Sequence, residues 1–232
     1  MTVMTIGKTL RLRRIFAGGR AMIAGSGILA EDPVQKLRLL ARIGVDAAVL
    51  TPGRLDVALE ELGPVSVILR IDGGARSAQL LGVESALVMG ADAVLADWTL
   101  GPEAFARVSE EARRCGTPLI VQMASLDWLK EARVAADYGA DVILTRSVAS
   151  SSDYHQFARS TGKPCLAALE QPVDPFDLLQ LVAGALEAGA QGVVLDHPAL
   201  LMAPLVGALH ALVHQGVSVE EAETQFAQGY TS

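Results

Sequence analysis

Arg70 and Asp72 stand two residues apart in the run VILRID. In an extended segment that spacing turns both side chains to one side, so they mark either the polar mouth of a site or an ion pair that only supports structure. Further polar residues follow other short apolar runs: Ser26, Thr51, Asp97 with Trp98, Gln122, Thr145 with Arg146, Glu170, and Asp196 with His197. Carboxylates and an imidazole are the side chains of general acid–base chemistry, which makes Asp72, Asp97 and His197 the candidate catalytic residues. Arg70, Trp98, Arg146, Glu170 and Asp196 are the candidate substrate-binding residues. There is no lysine among them.

Each of these readings has a plainer alternative. Arg146 beside Ser147, Ser150, Ser151 and Ser152 could hold an anion such as a carboxylate, or the serines and Asp153 could merely cap the following helix. Asp72, Asp97, Glu170, Asp196 and His197 could converge on a divalent metal that polarises a carbonyl. One histidine among acids lacks the paired spacing of a zinc site, so neither metal nor cofactor is expected, and His197 before Pro198 could simply cap a turn. Trp98 could stack on a ligand or plug the top of the fold. GSGILA opens like a dinucleotide fingerprint, but the place where that motif needs an acid holds Leu50 and Thr51.

The elements that position these residues are announced by glycine. At Gly44, Gly63, Gly90, Gly116, Gly139, Gly162 and Gly189 a helical stretch stops and a short apolar run starts at once. Glycine closes a helix in the left-handed conformation, so each stop reads as a helix end feeding a strand with almost no loop, and the strands must be parallel. With the earlier run Ala21 to Ala24 they make eight strands. Eight strand–helix units predict one (β/α)8 TIM barrel over residues 1–232, with functional residues at the C-terminal strand ends. The spacing predicts helices from the Asp32-Pro33 pair, over Asp56 to Leu62, Ser77 to Met89, Pro102 to Cys115, Leu126 to Tyr138, Asp153 to Ser160, Pro175 to Ala188 and Ala199 to Gln215. An extra C-terminal helix starts at Ser218 with a capping box to Glu221.

Composition narrows the classes. Of 232 residues 51% are hydrophobic and 4% aromatic, so small aliphatics fill the core. A net charge of −7 argues against nucleic acid or an anionic membrane as partner. The short basic group Arg11, Arg13, Arg14 and Arg20 reads as a segment closing the barrel floor. Cys115 and Cys165 form no CxxC pair or framework, which fits a reducing cytoplasm. A mean hydropathy of +0.36 hints at helix faces covered by another subunit.

Several segments resemble the class I aldolase family that includes archaeal-type fructose-bisphosphate aldolases and, more distantly, deoxyribose-phosphate aldolases. They are GKTLRLRRIF, LTPG, ILRIDGG, MGADAVLADWTLG, EEARRCGTPLIVQM, YGADVILT and ALHALVHQGVSVEEA, in the family's order and over most of the chain. The resemblance implies a carbon–carbon lyase working through a Schiff base on a strand-six lysine, yet Leu144 occupies that position in DVILT. A leucine cannot form an imine. The turn after strand one reads AGSG where the family has an acid, and Glu170 and Asp196 stand in the turns where the family binds phosphate. The resemblance therefore implies a divergent, non-catalytic paralogue, forming homo-oligomers or co-assembling with an active relative, with at most a small-molecule ligand at the mouth. The alternative is a repurposed lyase-like enzyme acting on a small non-phosphorylated carbonyl or carboxylate compound.

Overall fold

The structure is a computed structural model, and it describes residues 5–73, 79–123, 128–145, 151–170 and 173–230. Eight parallel strands close into a barrel in chain order: β1 Ala21–Ala24, β2 Ala47–Leu50, β3 Ser66–Arg70, β4 Ala93–Asp97, β5 Leu119–Gln122, β6 Val142–Thr145, β7 Cys165–Leu169 and β8 Gly192–Leu195. The helices are α1 Ile6–Ile15, α2 Pro33–Ile43, α3 Pro52–Ala58, α4 Val83–Val88, α5 Pro102–Cys115, α6 Trp128–Asp137, α7 Ser151–Thr161, α8 Pro175–Glu187, α9 Ala203–His210 and α10 Val219–Tyr230. The single TIM barrel expected from the punctuation is the fold observed.

All seven glycine stops adopt positive φ, from 52° at Gly63 to 107° at Gly139, as a left-handed cap requires. Closure depends on one more glycine. A Cβ on Gly192 would stand 2.8 Å from the carbonyl carbon of Ala21 on the paired strand, so β1 and β8 can approach only because that atom is missing.

Several helices depart from the expected bounds for local reasons. The third begins at Pro52 rather than Asp56, because proline is accommodated in the first turn where its absent N–H costs nothing. After β3 the chain turns back, Asp72 bridging antiparallel to Gln79, so α4 starts only behind Gly82. The expected helix over Ala199 to Gln215 is divided into a 3-10 turn over Pro198–Leu200, α9 with Pro204 in its first turn, and a π-turn over Ala211–Gln215. The capping box of α10 is present, Ser218 N–H donating to Glu221 Oε2 at 3.1 Å and Glu221 N–H to Ser218 Oγ at 3.2 Å.

Two cores share the sheet. Ile23, Ala47, Val49, Ile68, Leu95, Ile120, Leu144, Leu166, Ala168 and Val194 fill the barrel interior, closed below by Leu12 and Ile15 of α1. The alternate strand residues pack outward against the helical shell. Side chains alternate along a strand, so the residue two beyond each interior one shares its face. That parity carries Arg70, Asp97, Gln122, Glu170 and Asp196 to the upper end of the barrel lumen.

The opposite end is closed by polar ties. Lys8 Nζ donates to Asp141 Oδ2 at 2.7 Å, both residues buried. Arg11 donates to the Gly116 carbonyl and Arg14 to Asp92, so the basic segment is bound to the floor. Among the described residues no helix is long and apolar enough to cross a membrane.

Candidate functional site

At the upper end of the barrel Arg70, Asp72, Gln122 and Glu170 form one connected strap. Arg70 is held from both sides: Nη1 donates to Asp72 Oδ1 at 3.2 Å and Nη2 to Gln122 Oε1 at 2.5 Å. The Gln122 amide in turn donates through Nε2 to Glu170 Oε1 at 3.1 Å. The strap thus crosses from β3 through β5 to the end of β7. These are odd-numbered strands, and in such barrels alternate strands contribute the side chains of one layer.

Asp72 and Asp97 meet through the backbone. The Asp97 N–H donates to Asp72 Oδ2 at 2.6 Å, while Asp97 Oδ1 accepts from Thr99 N–H at 2.9 Å and Thr99 Oγ1 at 2.8 Å. Asp97 is fully buried, and the Asp72 side chain is 0% exposed against 12% for Arg70. Carboxylates this dry are stable because each is supplied with donors. One donor is left over: among the described residues Arg70 Nε is buried without a partner.

Asp196 is seated by the turn after β1. Its Oδ1 accepts from Gly27 N–H at 2.5 Å. A Cβ on Gly25 would stand 2.6 Å from the Asp196 Cγ, and one on Gly27 would collide with the Asp196 carbonyl oxygen. GSG is therefore the cradle of a carboxylate. Arg54, which donates to the Ser26 carbonyl at 2.9 Å, fixes the same turn from α3.

The other sequence candidates lie apart from the strap. His197 Nδ1 accepts from Ala199 N–H at 3.2 Å and caps the turn that follows, which is the plainer of its two readings. Trp98 belongs to the outer core and not to the cluster that fills the lumen. It follows the inward-facing Asp97 and packs edge-on against Phe105 of α5 with ring centroids 5.1 Å apart. Arg146, with Ser147 and Ser150, lies outside the described residues. Among the described residues no group of three His, Cys, Asp or Glu side chains is arranged to hold a metal ion.

Leu144 is 3% exposed, in the lumen of β6 among Ile120, Leu166 and their neighbours. Of the four lysines, Lys8 is tied to Asp141 at the floor, Lys163 precedes β7, and Lys36 and Lys130 belong to the helical shell. None occupies an inward-facing strand position. Gln122 is the residue of the strap that the site assignment from sequence passed over. Its place two residues beyond Ile120 in LIVQ was the signal.

A second titratable group sits at the floor. Asp46 Oδ2 accepts from Met22 N–H at 2.7 Å and lies 3.0 Å from His214 Nε2. Burial raises the Asp46 carboxyl above its ordinary range, against the opposing pull of Met22 N–H and His214. Burial, then the neighbouring His214, holds His210 below the ordinary imidazole value.

No known protein-family model matches the chain. It is similar to the 2-amino-3,7-dideoxy-D-threo-hept-6-ulosonate synthase of Halobacterium salinarum, 25% identical over 253 residues that span 93% of this chain and 95% of that protein. Among solved structures it is similar to the fructose-bisphosphate aldolase from Slackia heliotrinireducens. The TM-score is 0.78 at 14% identity, covering 96% of this chain and 90% of that one. The YdjI aldolase from Escherichia coli K12 superposes with a TM-score of 0.60 at 10% identity, covering 96% and 91%. These likenesses agree with the family resemblance read from the sequence motifs.

Proposed function

We propose that this class I aldolase-like barrel works without covalent catalysis, as a non-catalytic paralogue with a structural or regulatory role, alone as an oligomer or beside an active relative. The observation that carries the reading is Leu144, buried in the lumen where the family resemblance calls for an amine. Imine formation requires a nitrogen within reach of the substrate carbonyl, and no other strand supplies one. The strap supports the same reading. Arg70 is already engaged by Asp72 and Gln122, and Glu170 and Asp196 bring negative charge to turns that would have to bind a phosphate. Two carboxylates facing a phosphate dianion oppose it by about a few kcal/mol each when partly buried.

Borohydride reduction in the presence of dihydroxyacetone phosphate, followed by intact mass, tests this directly. The expected spectrum is that of the unmodified chain. A stable adduct would overturn the proposal.

One observation favours a second reading, a repurposed enzyme for a small non-phosphorylated carbonyl or carboxylate compound. Arg70 Nε is a buried donor without an acceptor among the described residues, and such a group costs about 1–3 kcal/mol unless something accepts from it. A carbonyl or carboxylate oxygen of a ligand would do so. In a thermal-shift screen of short keto acids this reading expects stabilisation that disappears in Arg70→Met; a flat screen removes it.

A further inference from the structure

The outer wall between α6 and α7 carries a groove of about 530 Å³, lined by Arg133 from α6 and by Ser152, His155, Gln156, Arg159 and Ser160 from α7. On α7 these five positions fall at i, i+3, i+4, i+7 and i+8, which is one continuous stripe of helix surface. The stripe that meets the core is a different one, bearing the buried Tyr154 and Phe157. The helix thus has two organised faces, one apolar and one polar over two turns.

The chemistry of the lining is one-sided. Two guanidinium groups and an imidazole gather with no acidic side chain among the described lining residues, on a chain whose net charge is −7. Neither Arg133 nor Arg159 forms an ion pair among the described residues. Arg133 is also held in place: its Nε donates to Ser160 Oγ at 3.2 Å, and that hydroxyl donates to the Phe157 carbonyl at 3.1 Å. The arrangement leaves both Nη groups of Arg133 available to a ligand. A planar fork fixed in this way is suited to paired oxygens of an anion, and fixing it in advance lowers the entropy lost on binding.

We propose that this groove is a binding site for a small phosphorylated polar compound, the Arg133 and Arg159 forks taking its phosphate oxygens and His155 and Gln156 its polar remainder. The volume is in the range of a small-molecule site, and the polar heads that line it belong to arginine, histidine, glutamine and serine. The site is separate from the barrel mouth, where Glu170 and Asp196 oppose such an anion.

Isothermal titration of the full chain with pyrophosphate, monitored in parallel by the NMR resonances of the His155 ring, tests the assignment. The expected result is saturable binding at one site with a shift of those resonances. The double variant R133Q/R159Q should weaken it by roughly ten- to hundredfold, since each fork contributes charge-assisted hydrogen bonds. The control R113Q/R114Q removes two exposed charges from α5 and should bind as the parent does. His155→Ala, at an exposed position, gives an independent variant should the double one lose its fold. Absence of saturable binding, binding unchanged in R133Q/R159Q, or equal weakening in the control double would each overturn the proposal.

Discussion

Replacing Arg70 with methionine keeps the aliphatic stem in the lumen and removes the guanidinium that joins β3 to β5. Two charge-assisted hydrogen bonds go with it, to Asp72 at 3.2 Å and to Gln122 at 2.5 Å. Each is worth about 1.5–3 kcal/mol. Asp72 is 0% exposed and loses its counter-charge, and breaking a buried pair from one side costs about 3–5 kcal/mol. The two routes agree, so Arg70→Met should lower stability by about 3–4 kcal/mol. For a chain of this length, with a urea slope near the upper end of the usual range, that moves the unfolding midpoint down by about 1 M. Urea titrations of Arg70→Met, Asp72→Asn and the double variant complete a cycle. Because the two groups touch, the double variant should cost less than the sum of the singles by at least about 1 kcal/mol. A loss below about 1 kcal/mol for Arg70→Met, or full additivity, would show that the strap is a solvated surface feature and would refute the description of the mouth as internally neutralised.

Gly25→Ala places a methyl group against the Asp196 carboxylate and should cost about 1–3 kcal/mol in thermal unfolding. Gly53→Ala, on α3 with nothing within 4 Å of the new Cβ, should be neutral or stabilising. Burial pushes the Cys165 thiol far above its ordinary value, so Ellman's reagent should label at most Cys115 in the native protein and both cysteines in denaturant. His210, held below its ordinary value of 6.5, is protonated more readily in the unfolded chain. Stability should therefore fall as the pH drops through that value, and His210→Gln should flatten this part of a stability-versus-pH curve.

Short-range rules were enough for the architecture. A helix cap, a proline in a first turn and the two-residue parity of a strand are each decided within a few residues, so the barrel, its strand ends and the inward course of Arg70, Asp97, Gln122, Glu170 and Asp196 could be read from the chain. The bonding partners could not be read this way. Gln122 joins Arg70 and Glu170 from 52 and 48 residues away, Gly27 and Asp196 meet across 169, and Lys8 reaches Asp141 across 133. Those distances in sequence are set by the closure and stagger of the barrel, which no local pattern encodes. Hence a row of polar strand ends, open to reading as acids, ligands or a metal site, became in three dimensions a strap of charges that largely satisfy one another.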